Sequence, residues 1–232
     1  NIKSLIIFVH LAGLALGVGG AWTLDIYILR KMYKSPVTQE NIQIIRFVSK
    51  IVLIGMAMLW LSGLLFIVFY YFVQPESLLN HKIWAKLVMV MILTINGYCL
   101  HEFVLPVIVN NKNKVIISAV SLGQLNILTL VGSISFITWP LVMLLGTFKS
   151  INFVFSFFDI LAVYVLILLA ALAVACLLKS YVLEQEMDRK IKKLNEQMSS
   201  VTGQLSNKQK EIDILTKAFK LGFCVKRLQK YQ

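Results

Sequence analysis

The sequence predicts an all-α integral membrane protein, and three observations indicate this class. Hydrophobic residues make up 58% of the 232 positions and charged residues 15%, which is unlike a soluble domain. Five apolar runs each reach the roughly 20 residues that a helix needs to cross a bilayer. The chain from Lys179 onward is polar, with apolar residues recurring at helical spacing. We therefore expect a bundle of five transmembrane helices in a lipid bilayer, followed by one polar helix.

The predicted spans follow one another with short connections. They run from Leu5 to Leu29, Phe47 to Val73, Ile83 to Val109, Val120 to Phe148 and Phe153 to Leu178. The first run resembles a signal peptide, because Lys3 precedes it and "GVGGA" would suit a cleavage site. The apolar run continues through "WTLDIYIL", however, which favours a retained helix.

The distribution of lysine and arginine predicts the orientation of these spans. The tail from Lys179 holds twelve basic against six acidic residues, and the second and fourth loops offer little beyond Lys82 and Lys149. The first and third loops are rich in basic residues: Arg30, Lys31, Lys34, Arg46 and Lys50, then Lys112 and Lys114. We expect the N-terminus outside and the tail in the cytoplasm, with the protein in a bacterial inner membrane.

Charge and motif content exclude several function classes. The net charge of +12 sits mainly at the cytoplasmic flanks of the helices, so we do not expect nucleic-acid binding. Three separated cysteines, without a CxxC motif, predict neither a disulfide framework nor a cysteine zinc site. A phosphate loop, GxSxG, HExxH and a dinucleotide glycine fingerprint are all absent from the sequence. Hydrolytic and phosphoryl-transfer chemistry is therefore not expected.

The tail has the pattern of a coiled coil. Its apolar residues alternate in steps of three and four, with Lys208 in one core position and the weak helix formers "SSVTG" midway. They are Met187, Ile191, Leu194, Met198, Val201, Leu205, Ile212, Leu215 and Phe219. The alternative is an amphipathic helix lying on the membrane or on a partner subunit. The predicted domains are residues 1–178 in the membrane, a cytoplasmic coiled-coil helix over 179–221, which would pair with a second copy or a partner, and a basic segment over 222–232.

Ionisable side chains inside the predicted spans mark candidate functional positions, because they cost free energy in hydrocarbon. Counting about 1.5 Å per residue from the outer edge places them in two layers. The outer layer holds His10, Lys86 and Asp159, with Trp139 at a similar depth. The inner layer holds Asp25 and His101 with Glu102, and Asn96 lies between the layers.

Each polar residue has a structural alternative. His10, Gly13, Gly17 and Gly20 share one face of the first helix, and the glycines either admit a neighbouring helix or leave room for a flat macrocycle. Lys86 and Asp159 either act in function or neutralise each other as a buried pair. Asp25 either belongs to a polar path or pairs with Arg30 or Lys31.

Neutral imidazole binds iron well, so His10 and His101 are candidate axial ligands of a haem. Their estimated depths differ by about 15 Å, which argues against one iron held between them. A second ligand from the outer layer suits His10 better. His81, at the outer mouth of the third helix, is a further candidate, although a lone interfacial histidine is commonly solvated.

Two segments carry a family resemblance. The third helix, "HKIWAKLVMVMILTINGYCLHEF", has a lysine, an apolar run and then "GY", and the first helix has a histidine followed by glycines. This resembles the HemJ-type protoporphyrinogen oxidase and copper-resistance protein D group. The resemblance implies that His10 ligates haem b and that Lys86 is the functional lysine. Cys99 follows Tyr98 where that group often has a histidine, and five spans exceed the oxidase's usual four.

Three functions remain open at this stage. The first, which we favour from sequence, is a haem b redox protein, either electron-transferring or porphyrin-oxidising, with His10 as ligand. Lys86 would then act on a propionate or substrate, and Gly13, Gly17 and Trp139 would line the cofactor. The second is a proton- or ion-coupled transport component. Its polar path would include Asp25, Asn96, His101 and Asp159. The third is a membrane scaffold organised by its coiled coil.

Overall fold

The computed structural model describes residues 2–148, 150 and 152–229, and in 32–34 and 220–229 it describes the backbone without the side chains. This part of the chain consists of helices and short connections and contains no strand. Lys149 and the last three residues of the predicted basic segment lie outside it.

Seven α-helices form the fold. They are α1 Ile2–Lys34, α2 Gln39–Val73, α3 His81–Cys99, α4 Leu105–Asn110, α5 Ile116–Ala119, α6 Leu122–Thr147 and α7 Phe157–Gln229. A 3₁₀ turn over Pro75–Leu79 precedes α3, and a π-helical turn over Leu100–Val104 joins α3 to α4. Five helical segments are long and apolar enough to cross a membrane: α1, α2, α3 with its continuation to Asn110, α6 and α7. The predicted number of spans is confirmed.

Capping residues decide where two of the spans begin. Thr38 and Asn41 form a reciprocal capping box, so α2 starts at Gln39, ahead of the predicted start at Phe47. Ser121 and Gln124 form the same box at the start of α6. The early start of α2 adds an amphipathic turn, since Ile42 and Ile45 are buried at this end of the bundle.

Helices α1 and α2 approach each other through glycines. A Cβ atom on Gly55 of α2 would lie 2.6 Å from the backbone nitrogen of Gly17 in α1, which no side chain tolerates. A Cβ atom on Gly13 would lie 2.9 Å from the Cβ of Met58. The glycine face of α1 therefore serves helix packing, as small residues do in membrane interfaces.

Trp139 of α6 fills the remaining space over α1. Its indole ring contacts Gly17 so closely that any Cβ there would collide with the ring. Trp139 is 2% exposed and belongs to a buried cluster drawn from α1, α2, α3, α6 and α7. The cluster includes Ala21, Met56, Met89 and Tyr164. Side chains of α2 and α6 thus close over the glycine face of α1.

The chain divides into two compact units, Asn1–Ser180 and Tyr181–Gln232. Helix α7 runs through the boundary and continues through the weak helix formers at 199–203. In the second unit the apolar residues of the predicted heptads are exposed. The structure contains one copy of the chain, so the coiled coil stays a prediction.

We expect Gly55→Val to loosen the bundle, because its side chain would force α1 and α2 apart. Overpacking of this kind costs about 1–3 kcal/mol. Gly63→Val, on the same helix with open space around it, is the matched control. The thermal midpoint of the detergent-purified protein, read by size-exclusion chromatography after heating, should fall for Gly55→Val alone. Equal midpoints for the two variants would contradict the glycine contact.

Candidate functional site

Two groups of polar residues lie within the first unit. The His10 site consists of His10, Ser62 and Lys86, near the start of α1 and α3. The Asp25 site consists of Asp25 and Ser135, where α1 faces α6. Fifteen residues of α1 separate the two sites, which is about 22 Å along a helix.

His10 is hydrogen-bonded to Ser62. Its Nδ1 lies 2.9 Å from Oγ of Ser62, and that hydroxyl also lies 2.6 Å from the carbonyl oxygen of Met58. When the Ser62 proton is donated to this carbonyl, Oγ accepts from an Nδ1–H group, and Nε2 then has a free lone pair in the neutral ring. The ring also packs edge-on against Phe66, with centroids 5.5 Å apart. This tautomer suits a metal ligand or a proton acceptor.

Lys86 stands close enough to His10 for electrostatic interaction. It is half-buried, and within the described part of the chain its ammonium group makes no hydrogen bond or ion pair. Asp159, its possible partner, instead caps the start of α7 and accepts from Ser156 N at 3.1 Å and Oγ at 2.8 Å. Asp159 is exposed, so its role is to start a helix.

Lys82 is the lysine that the bundle buries. It is 4% exposed, and its Nζ donates to the carbonyl oxygen of Phe148 at 2.6 Å and to Oδ1 of Asn152 at 2.9 Å. The lysine thus ties the start of α3 to the connection between α6 and α7. In the sequence, Lys82 looks like a loop charge. Its burial could have been predicted from its helical spacing, because steps of three and four connect it to the buried face of α3: Ala85, Met89, Leu93 and Asn96.

The remaining predicted polar residues fall in different surroundings. His101 and Glu102 are exposed in the π-helical turn, fifteen and sixteen residues beyond Lys86. The structure does not bring His101 to His10. Asn96 is buried at 7% exposure and donates to the carbonyl oxygen of Val131 at 3.0 Å, which links α3 to α6. Of the predicted polar path, Asp25 and Asn96 therefore lie in the interior.

Asp25 is buried without a counter-ion. It is 6% exposed, and among the described residues its Oδ2 is the one buried side-chain oxygen or nitrogen without a hydrogen-bond partner. The Ser135 hydroxyl lies beside the carboxyl group without reaching Oδ2. The two predicted cations lie elsewhere: Arg30 is exposed, and the Lys31 ammonium sits over the ring of Tyr27 at 6.0 Å.

Other buried polar side chains have hydrogen-bond partners on neighbouring helices, unlike Oδ2 of Asp25. Thr138 and Tyr164 share a hydrogen bond of 3.0 Å between α6 and α7, and Asn96 has its carbonyl partner on α6. The neighbours of Asp25 on its own face, Ala21, Leu24 and Ile28, are apolar and buried. Burying a polar atom without a partner costs about 1–3 kcal/mol, and more if it is charged.

The residues predicted to bind haem fit the cofactor in one respect and not in another. Gly13 and Gly17 are covered by α2 and by Trp139, so this face does not fit a flat macrocycle. The His10 tautomer, in contrast, suits an axial ligand. Within the described residues, no group of three histidine, cysteine, aspartate or glutamate side chains forms a metal site.

No protein-family model, curated protein or solved structure matches this chain. The resemblance of α1 and α3 to the HemJ-type group therefore stays a prediction. Any functional assignment depends on the chemistry of the two sites.

We expect Lys82→Met to destabilise the bundle, since it leaves the Phe148 carbonyl and the Asn152 side chain without their donor. Hydrogen bonds from a charged donor contribute about 1.5–3 kcal/mol each. Lys86→Met is the matched control on the same helix and removes no hydrogen bond. A lower thermal midpoint for Lys82→Met, with Lys86→Met at or above wild type, is the expected result. The reverse order would refute the anchoring role.

Proposed function

We propose that this protein is a proton-coupled transport component of a membrane, with Asp25 as its proton-binding group. The observation that carries the proposal is the buried Oδ2 of Asp25, which has no partner. An ionisable residue inside a membrane bundle marks a functional position by default, and proton relays use such carboxyl groups.

The energetics of Asp25 support reversible protonation. A bare carboxylate in apolar surroundings costs several kcal/mol, and neither a cation nor a full set of donors offsets that cost here. A proton neutralises the group and leaves a carboxylic acid, which the Ser135 hydroxyl and apolar neighbours accommodate. Water or a cation reaching the site would stabilise the ionised form. Proton loss at Asp25 is thereby linked to opening of the interface between α1 and α6.

Other polar groups extend the path along the bundle. Asn96 on α3, Thr138 on α6 and Tyr164 on α7 are buried. The His10 site lies nearer the start of α1, and its free Nε2 accepts a proton. His10 and Asp25 are about 22 Å apart along α1, which is much longer than one hydrogen bond. Proton transfer between them therefore requires water or movement of side chains.

We expect Asp25→Asn to abolish proton uptake into proteoliposomes. The asparagine keeps the volume of a protonated aspartate but cannot exchange its charge state. An internal pH dye should report uptake, driven by a potassium diffusion potential, in wild type and not in the variant. Asp159→Asn, which changes an exposed cap, is the control and should retain uptake.

Carbodiimide labelling checks the same group without a transport assay. Hydrophobic carbodiimides react with protonated carboxyl groups inside membranes, so mass spectrometry should find Asp25 modified and Asp159 unmodified. Unlabelled Asp25 in a folded protein, together with equal uptake by wild type and Asp25→Asn, would contradict the proposal.

A haem b redox role is the second candidate, and the bonded Nδ1 of His10 favours it. Iron would bind through Nε2, and Lys86 would supply a cation for a propionate. The haem would add one-electron chemistry when bound. The filled glycine face counts against this candidate, and for that reason it ranks second.

For this second candidate we expect a b-type spectrum in protein purified under ample haem supply. Oxidised and dithionite-reduced absorption, with pyridine haemochrome quantification, measures the haem. His10→Ala should lose the signal, whereas His81→Ala, a change at an exposed residue, should keep it. A colourless and folded wild-type protein would remove the haem candidate.

A further inference from the structure

The tail exposes an apolar stripe along one face of α7, interrupted at Lys208. The stripe consists of Met187, Ile191, Leu194, Met198, Val201, Leu205, Ile212 and Leu215. Each of these side chains is at least half exposed, and Leu194 is 59% exposed. So long an apolar face on one helix requires a covering surface in water.

We propose that the tail pairs with the tail of a second copy as a parallel, in-register, two-stranded coiled coil. The proposal does not depend on the proposed transport function. The alternating steps of three and four assign Ile191, Met198, Leu205 and Ile212 to a positions of the heptad. Met187, Leu194, Val201, Lys208 and Leu215 then occupy d positions.

Chain connectivity sets the direction of pairing. Two copies inserted with the same orientation in one membrane carry their tails on the same side of it. In each copy the tail continues from the part of α7 that belongs to the first unit. Such tails run parallel when they pair. An antiparallel pair would require copies in opposing membranes or of opposite orientation.

The charges beside the stripe permit self-pairing. In a parallel dimer, each g residue faces the e residue five positions later in the partner. These pairs are Lys190 with Asn195, Gln197 with Thr202, Gln204 with Gln209, and Glu211 with Thr216. None of them opposes like charges, so a second copy meets no repulsion along the flanks.

The outer face of the same helix also favours a coiled coil over a membrane-lying helix. A helix on an anionic membrane is rich in lysine and arginine opposite its apolar face. Here the outer positions mix both signs: Lys192, Lys193, Glu196, Lys210, Asp213 and Lys217. A solvated outer face of mixed charge fits a helix whose apolar side is covered by another helix.

Lys208 gives the pair its register. A single polar residue in an apolar seam costs stability, yet it specifies strand number and alignment. In register, the two lysines share one layer and their long side chains reach water at its edge. A shift by one heptad would place a lysine in two layers in place of one, and the in-register pair avoids this second disrupted layer while its two ammonium groups meet in water at the edge of the seam.

Cysteine crosslinking in the full-length protein tests this pairing. In native membranes, with Cys99, Cys176 and Cys224 replaced by serine, we compare three core sites with three outer sites. The core variants are Leu194→Cys, Leu205→Cys and Leu215→Cys, and the outer controls are Glu196→Cys, Lys210→Cys and Lys217→Cys. Identical core positions of a parallel pair bring their Cα atoms within disulfide reach.

We expect oxidation to link all three core variants into dimers, at least about tenfold faster than the outer controls. Linking at Leu205→Cys alone would indicate an antiparallel pair and overturn the proposal. Equal rates at core and outer sites, or no dimer at any core site, would overturn it as well. As a second readout, Lys208→Leu should slow exchange of subunits between differently tagged dimers, and Lys210→Leu should not.

Discussion

The close approach of α1 and α2 through Gly13, Gly17 and Gly55 is the contact on which the rest of the bundle depends. It brings Ser62 within hydrogen-bond distance of His10. It also fixes the rotation of α1, because Trp139 can cover Gly17 only when this face points inward. With α1 in that rotation, Asp25 faces α6, where Ser135 lies beside it. Arg30 and Lys31, five and six residues further along the same helix, lie outside the i+3 and i+4 positions that share its face.

Among the described residues, Asp25 carries the one buried side-chain oxygen or nitrogen without a hydrogen-bond partner. Other buried polar side chains, such as Asn96 and Thr138, have partners on neighbouring helices. The packing around the Asp25 carboxyl group offsets the free-energy cost of burying it. A group that the fold buries but does not neutralise is well suited to respond to a proton. The two proposals assign proton binding to the first unit and self-association to the second.

Much of the fold was predictable from sequence, because apolar length decides a membrane span with little help from tertiary contacts. The glycine face of α1 was also visible in the sequence, and in the structure it packs against α2 and Trp139. The burial of Lys82 was missed, since Lys82 looks like a loop charge until its hydrogen bonds to Phe148 and Asn152 are known. Spacing alone could not tell whether Asp159 pairs with Lys86 or caps α7, nor whether Asp25 reaches Arg30. Those outcomes depend on side-chain directions across helices.

The most direct measurement of the central claim is the infrared spectrum of the protein reconstituted in a bilayer, recorded as a function of pH and in heavy water. We expect a carboxylic acid stretching band that shifts in heavy water, disappears on alkalinisation and is absent from Asp25→Asn. Asp159→Asn should retain the band. A wild-type spectrum without a protonated carboxyl band from Asp25 at any pH at which the protein stays folded would contradict the account.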